Sequence, residues 1–224
     1  MPSTAIVTGA SRGLGLALTR ALAVRDWRVV IDARDLPALP GGLSGEVLAI
    51  AGDVTDASHR RELVAAAGER IDLLVNNASE LGPSPLPGLR DYPLDALEHV
   101  YRVNALAPLA VTQLALPRMS AGARVVNISS DAAVEAYEGW GGYGSSKAAL
   151  EQLTRVLAAE HPDLRIYAVD PGDMRTQMQQ DAFPGEDISD RPAPQESVPG
   201  LLALIEGDLP SGRYAARELA AAPR

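Results

Sequence analysis

Short apolar runs alternate along the chain with stretches in which apolar residues recur at helical spacing. Residues 4–8, TAIVT, form a run that is typical of a buried strand, and Gly9 follows it. After Gly13 the apolar positions follow the i, i+3, i+4, i+7, i+8 pattern of an amphipathic helix: Leu14, Ala17, Leu18, Ala21 and Leu22. The chain therefore opens on a predicted strand, a glycine-containing turn and a helix.

The same alternation continues to the end of the chain. Further strands are expected at residues 28–33, 46–51, 72–76, 123–129, 164–169 and 213–216, and a proline- and glycine-rich loop at 37–42. Helices are expected at residues 56–69, with Asp56 as N-cap, at 94–119, where Pro108 would interrupt the helix, at 143–160 and at 201–205. Alternating strands and helices imply a parallel sheet covered on both faces. The pattern predicts a doubly wound, Rossmann-like α/β fold, with residues 1–224 as a single domain.

The composition argues against several classes of function. The formal net charge of −9 opposes binding to nucleic-acid phosphates. The chain has no cysteine, so disulfides and thiolate chemistry are excluded, and His59, His99 and His161 lack the spacing of metal ligands. No apolar run approaches the ~20 residues of a bilayer span, and the N-terminus lacks the basic stretch of a signal peptide. We expect a cytoplasmic protein with no metal, no nucleic-acid partner and no membrane partner.

Lys147 is the only lysine in a chain with nineteen arginines. A single lysine indicates a position where a guanidinium cannot replace a compact ammonium with a tunable pKa. The alternative is that this lysine survived by chance. Tyr143 precedes it by four residues, which places the two side chains on one face of a predicted helix. Because a nearby ammonium favours a phenolate, the pair is a candidate proton donor and acceptor.

Residues 8–15, TGASRGLG, lie between the first strand and the first helix. Glycines in such a turn let backbone N–H groups approach a pyrophosphate at the helix N-terminus. This T-G-x-x-x-G-x-G spacing is accompanied in chain order by Asp53-Val54, Asn76-Asn77-Ala78, Asn104, Ser130, the Tyr143/Lys147 pair, and Pro171-Gly172 with Thr176. Over residues 4–176 the chain resembles the short-chain dehydrogenase/reductase family, in its compact single-domain branch.

The resemblance implies a role for each candidate catalytic residue. Tyr143 is implied as the general acid/base, and Lys147 as the residue that supports it and binds the nicotinamide ribose hydroxyls. Ser130 is implied to hydrogen-bond the substrate oxygen; Ser129 is the neighbouring alternative, whose offset from Tyr143 fits less well. Asn104 is implied to hold a water in a proton relay to the lysine.

The resemblance also implies a set of cofactor contacts. Residues of the glycine turn would bind the pyrophosphate, Asp53 and Val54 the adenine edge, Asn76 and Ala78 the adenosine, and the residues after the sixth strand the nicotinamide. The expected set is Gly9, Ser11, Arg12, Gly13, Leu14, Gly15, Arg34, Asp53, Val54, Asn76, Ala78, Tyr143, Lys147, Pro171, Gly172, Met174 and Thr176. The chain departs from the family pattern at Ser79, where glycine is usual, and at Tyr167, where asparagine is frequent.

The end of the second strand bears on the choice between NAD and NADP. Members that use NAD carry an aspartate eighteen residues after the third glycine, and this position is Ala33 here. Arg34 follows it and Arg12 lies in the glycine turn, and two guanidinium groups suit a 2′-phosphate. Asp32 is one position early and should face the other side of the strand. We predict NADP(H); a shift of one residue in the strand register would favour NAD instead.

The sequence thus predicts an NADP(H)-dependent oxidoreductase that acts on a small carbonyl or alcohol substrate. Two alternatives remain: an epimerase or dehydratase of the same superfamily, and a catalytically silent NADP-binding regulator. Residues 173–199 are predicted to form a lid over the site, with a fixed surface loop as the alternative. The resemblance further implies a homodimer or homotetramer that pairs helices at residues 94–119 and 143–160.

Overall fold

The fold is a single parallel sheet with helices on both faces, seen in a computed structural model that describes residues 2–34 and 46–221. The loop predicted at residues 37–42 lies outside the described residues. The strands are β1 (Thr4–Val7), β2 (Arg28–Ala33), β3 (Val47–Ala51), β4 (Leu73–Asn76), β5 (Arg124–Ile128), β6 (Arg165–Asp170) and β7 (Gly212–Ala215). Their order is β3-β2-β1-β4-β5-β6-β7, and every neighbouring pair is parallel. The predicted doubly wound fold is confirmed.

Helices connect the strands across both faces of the sheet. They are α1 (Gly13–Ala23), α2 (Ala57–Ala66), α3 (Leu94–Tyr101), α4 (Ala107–Ala115), α5 (Gly141–Glu160), α6 (Gln177–Ala182), α7 (Val198–Glu206) and α8 (Ala216–Ala221). Asp56 caps α2 as predicted, because its carboxylate accepts a hydrogen bond from the N–H of Ser58. The sequence pattern did not predict α6 and α8. Each has six residues, too few to show an apolar period.

The alternation of side chains along β1 divides the core into two layers. Ala5 and Val7 pack against α1 and α7, in a cluster that includes Leu18 and Leu201. Ile6 faces the opposite side and packs in a cluster with Leu63 of α2 and Val111 of α4. Since successive residues of a strand point to opposite faces, one apolar run of four residues serves both layers.

The long helical region predicted before β5 is divided by a π-helical turn at Arg102–Leu106. The turn lies immediately before α4, whose first turn contains Pro108. A proline at this position has no N–H to donate to the carbonyl of residue 104, so the α-helical hydrogen-bond register cannot continue there. This local change of register positions Asn104, which is fully buried within the turn.

The strand order reverses between β1 and β4, which are neighbours in the sheet. Connections from these strands leave toward opposite sides, so a crevice opens outside their carboxyl ends. The turn after β1 and the loop after β4 both border this crevice. The fold therefore brings the glycine turn and the Asn-Asn-Ala segment together.

Candidate active site

A cavity of about 1200 Å³ lies at the carboxyl edge of the sheet. Its walls come from the turn after β1, the ends of β2 and β3, the loops after β4, β5 and β6, and the first part of α5. The site residues predicted from the sequence that line it are Gly9, Ser11, Arg12, Gly13, Leu14, Arg34, Asp53, Val54, Ala78, Ser130, Tyr143, Lys147, Pro171, Gly172, Met174 and Thr176. The fold thus gathers residues from seven separate segments into one cavity.

Three predicted site residues, Gly15, Asn76 and Asn104, lie behind the cavity wall. A Cβ atom on Gly15 would lie 2.7 Å from the carbonyl oxygen of Gly9, so the glycine serves the close packing of α1. Asn76 was expected near the adenosine, but its Nδ2 donates to Asn127 Oδ1 at 2.7 Å and ties β4 to β5. It is Asn77, the next residue of the same motif, that lines the cavity.

The glycine turn is tied to the loop after β4. Thr8 Oγ1 accepts hydrogen bonds from the N–H groups of Asn77 and Ala78, each at 3.0 Å. Gly9 has a φ of +64°, and a Cβ there would lie 2.7 Å from the Cα of Ala78. Only glycine satisfies both the left-handed backbone and this close approach. The two segments that border the crevice are therefore held together.

The N-terminus of α1 opens into the cavity with unsatisfied donors. Arg12 precedes the helix in an extended conformation, and its side chain makes no capping hydrogen bond. Free N–H groups in a first helical turn, together with the positive end of the helix dipole, form a binding site for a phosphate. With the glycine turn and with Arg12 and Arg34 at the rim, these donors fit the pyrophosphate of a dinucleotide.

Tyr143 and Lys147 lie one turn apart on α5, and both are buried. The Lys147 Nζ atom lies 5.5 Å from the centre of the Tyr143 ring and donates to the carbonyl oxygen of Ile128 at 2.8 Å. Burial lowers the pKa of Lys147 to about 7. Burial also raises the pKa of Tyr143, and the nearby hydroxyls of Ser79 and Ser130 act in the opposite direction.

This result corrects the sequence argument that Lys147 lowers the pKa of Tyr143. Desolvation is the largest influence on the Tyr143 pKa, and its direction is upward. The Lys147 ammonium bonds a main-chain carbonyl at the end of β5 rather than the phenol oxygen. The structure therefore places the two side chains together as predicted, but the electrostatic effect expected from the sequence is outweighed by burial.

The two serines after β5 differ in their surroundings. Ser129 is buried, and its hydroxyl donates to Glu151 Oε1 at 2.6 Å. Ser130 is partly exposed in the cavity wall, where its hydroxyl donates to Asp131 Oδ1 at 2.8 Å, and its nearness to Tyr143 acts to lower the pKa of that tyrosine. Ser130 is thus the serine whose position fits contact with a substrate oxygen.

The Asn104 side chain is fully occupied by hydrogen bonds. Its Oδ1 accepts from the Glu80 N–H at 2.8 Å and from the Ser79 hydroxyl at 3.2 Å. Its Nδ2 donates to the Glu80 carbonyl at 2.8 Å and to Ser146 Oγ at 2.9 Å. The side chain therefore fastens the loop after β4 to α5.

Asp32 was expected to face away from the cavity, but it lies in the cavity wall. Both carboxylate oxygens are bonded within the protein: Oδ1 accepts from the Gly9 N–H at 2.7 Å, and Oδ2 lies 3.0 Å from His59 Nε2. Arg34, by contrast, has a 62% exposed side chain at the cavity rim, 3.7 Å from Glu80 Oε2. The end of β2 thus presents a guanidinium to the cavity.

Trp140 and Tyr137, which the sequence offered as possible pocket residues, line the cavity, and so do Asn77 and Ser79, which were not among the expected cofactor contacts. Asn77 belongs to the Asn-Asn-Ala motif, and its Nδ2 donates to the carbonyls of Thr8 and Gly9. Ser79 was noted only as a departure from the family pattern. Tyr167, the second departure, lies in the core, where its hydroxyl donates to Leu209 O at 2.8 Å.

Within residues 2–34 and 46–221, no helix has both the length and the apolar character needed to cross a membrane. Over the same described residues, His, Asp and Glu side chains do not form a cluster of three that could hold a metal ion.

Comparison with known proteins agrees with this site. The sequence profile described as short chain dehydrogenase matches residues 3–187. The rhamnolipids biosynthesis 3-oxoacyl-acyl-carrier-protein reductase of Pseudomonas aeruginosa is 38% identical over 193 residues, which cover 78% of this chain and 73% of that protein.

Two solved structures show the same fold. A short chain dehydrogenase from Pseudomonas syringae superimposes with a TM-score of 0.87 at 31% identity, covering 96% of this chain and 94% of that one. A short chain dehydrogenase from Shigella flexneri 2a, solved in complex with NADP, gives a TM-score of 0.83 at 26% identity, covering 96% and 97%. On its fold, its site and the family profile, this chain is an oxidoreductase that belongs to the short-chain dehydrogenase/reductase family.

Proposed function

We propose that this chain is an NADP(H)-dependent enzyme that interconverts a carbonyl compound and an alcohol, with Tyr143 as general acid/base. The observation that carries the proposal is that Tyr143, Lys147 and Ser130 line the same cavity as the uncapped N-terminus of α1. A proton donor and a phosphate-binding turn in one cavity suit hydride transfer coupled to proton transfer.

The bound nicotinamide would supply or accept the hydride. In the reduction, Ser130 donates a hydrogen bond to the substrate oxygen and Tyr143 gives that oxygen its proton. In the oxidation, Tyr143 accepts the proton. Lys147 and Asn104 act as positioning residues, since Lys147 would hold the ribose hydroxyls and Asn104 fastens the loop that carries Ser79.

The preference for NADP(H) rests on the end of β2. Arg34 and Arg12 line the rim of the cavity, where two guanidinium groups would pair with a 2′-phosphate. The nearby Asp32 carboxylate is committed to Gly9 and His59, so it has little capacity left to accept bonds from a ribose. The NADP found in the Shigella flexneri relative supports the same choice.

An assay of NADPH oxidation over a panel of carbonyl compounds tests the proposed function. Wild-type protein should consume NADPH with at least one ketone or aldehyde, and the Tyr143→Phe variant should not. NADPH binding without turnover on any carbonyl would instead support a silent binding protein, and the proposed function would then be abandoned.

We also propose that the enzyme is a homodimer or homotetramer. Three large apolar side chains on the helices before β5 and on α5 are exposed: Leu94 (74%), Leu106 (55%) and Val156 (43%). Exposed apolar residues on neighbouring helices are typical of a subunit interface. Sedimentation at micromolar concentration should show at least a dimer, and a Leu106→Glu variant should shift it toward monomer. A wild-type monomer would contradict this assembly.

A further inference from the structure

We infer that the substrate side of the cavity takes a neutral carbonyl compound that carries a flat, apolar group on its carbonyl carbon, such as an aryl ketone. This inference rests on the proposed function. It concerns the part of the cavity lining next to Tyr143 that is formed by Trp140, Met178 and Phe183, here called the apolar wall.

The apolar wall is built from aromatic rings that converge on the catalytic tyrosine. The Trp140 ring centre lies 5.8 Å from that of Tyr143, with the planes at 74°, and 6.0 Å from that of Phe183, with the planes at 49°. Phe183 is the only phenylalanine of the chain and Trp140 one of two tryptophans. A flat substituent on the carbonyl would pack against these rings in the edge-to-face geometry that aromatic pairs prefer.

The apolar wall is continuous with a small hydrophobic core. Trp140, Met178 and Phe183 pack against a small core of their own, whose buried members are Leu81, Ala132, Tyr143 and Ala182. These three wall residues are only partly buried, so they complete the core on one side and present apolar surface to the cavity on the other. Most of a small apolar ligand's affinity comes from covering such surface.

The acidic residues near Tyr143 are already paired within the protein. Asp131 accepts bonds from the Ser130 hydroxyl, the Ala132 N–H and the Tyr137 hydroxyl. Asp170 accepts from the Gly172 N–H at 2.8 Å and lies 3.7 Å from Arg213. An apolar substrate group leaves these bonds intact and needs no polar partner of its own.

The same carboxylates disfavour an anionic substrate. Asp131, Asp170 and Asp173 all line this part of the cavity, and the first two are close enough to raise the pKa of Tyr143. A substrate carboxylate placed beside Tyr143 would meet negative charge from two loops. The favoured substrate is therefore neutral as well as apolar.

A matched set of dicarbonyl compounds tests this inference with NADPH. The three members are 1-phenylpropane-1,2-dione, butane-2,3-dione, in which methyl replaces the phenyl group, and benzoylformate, in which a carboxylate replaces the acetyl group. We expect kcat/KM for the phenyl dione to exceed both others by at least ~10-fold, the scale of a buried apolar contact. A ketose of similar size should be a poor substrate.

Variants of the apolar wall assign the effect to this surface. Phe183→Ala should reduce the ratio of kcat/KM between the phenyl and methyl diones, and Phe183→Leu, which keeps apolar bulk and protects folding, should reduce it less. Val134→Ala, at a 54% exposed residue outside the lining, should leave the ratio unchanged. An equal or greater kcat/KM for the methyl dione, the carboxylate or the ketose would overturn the inference. Absence of turnover with every carbonyl would instead overturn the proposed function.

Discussion

The carboxylate of Asp32 accepts a hydrogen bond from the backbone N–H of Gly9 at 2.7 Å, across the turn that follows β1. Its second oxygen lies 3.0 Å from His59 Nε2, and both side chains are buried. Asp32 therefore stabilises the glycine turn by accepting the Gly9 hydrogen bond, and His59 in turn fixes the position of the Asp32 carboxylate. An acid at the end of β2 serves here as a support for the turn, and Arg34, two residues further along, is the charged side chain at the cavity rim.

Arg34→Ala should raise KM for NADPH far more than KM for NADH. Loss of one charged hydrogen bond to a 2′-phosphate is worth about 1.5–3 kcal/mol, so a 10- to 100-fold rise is expected. Steady-state kinetics with both cofactors measure the ratio. Arg25→Ala, whose partner Glu206 lies away from the cavity, is the control. If the wild type prefers NADH, the interpretation of the end of β2 is wrong.

His59 should contribute stability that depends on pH. The pKa of His59 is raised above its ordinary value of 6.5, mainly because its ring hydrogen-bonds Asp32. Burial acts in the opposite direction but is the smaller effect. A group with a raised pKa in the folded state stabilises fully below its unfolded pKa, and this contribution declines as pH rises through the folded pKa. The free energy of urea unfolding, wild type minus His59→Gln, should therefore be largest near pH ~6 and smaller above pH ~8. A difference that is constant or grows with pH would contradict this account.

Tyr143→Phe should lower kcat by at least ~10²-fold, the usual scale for a lost general acid/base. The substitution removes only the hydroxyl from a buried ring, so the unfolding free energy should change little. NADPH oxidation and urea unfolding measure the two effects. Tyr214→Phe, on β7 outside the cavity lining, removes a hydroxyl that bonds Pro210 O and should keep activity. Activity retained by Tyr143→Phe would exclude the proposed mechanism.

Lys147→Arg should abolish most activity although it preserves the charge. Lys147 is only 2% exposed where it borders the cavity, and its Nζ donates to the Ile128 carbonyl at 2.8 Å. A planar guanidinium is larger and carries its donors in a fixed fork, so it cannot keep this contact and also reach a ribose. Kinetics and NADPH fluorescence on binding report the loss. Full activity would show that the single lysine of the chain survived by chance.

We propose that residues 173–199 form a lid. The segment contains α6. It is tied to the loop after β4 by the Ser84 hydroxyl, which donates to the Asp181 carbonyl at 2.6 Å. Its Phe183 ring packs against Trp140. A polar outer surface with a few apolar residues facing the cavity suits a segment that closes on a ligand. Hydrogen exchange should slow in this segment when NADPH and a substrate analogue bind. Strong protection in the free enzyme, unchanged on binding, would identify a fixed loop.

Local patterns were sufficient for the sheet and for part of the site. Short apolar runs marked the strands. For β2 the predicted bounds, residues 28–33, are those of the strand in the structure. Helical periodicity alone places Tyr143 and Lys147 on one face of α5, because residues four apart are always neighbours on a helix. The glycine turn was equally predictable, since its backbone geometry is a property of the turn itself.

Tertiary packing decided the properties that depend on partners far away in sequence. Asp32 finds its partners 23 and 27 residues away, and Asn76 bonds Asn127, 51 residues away, so neither role can be inferred from a local pattern. The pKa of Tyr143 depends on how completely α5, the loop after β4 and the loop after β5 bury it. Sequence periodicity determines which residues share a face, because it reflects short-range backbone geometry. Burial and hydrogen-bond partners follow only from the folded chain, because desolvation and long-range contacts exist only there.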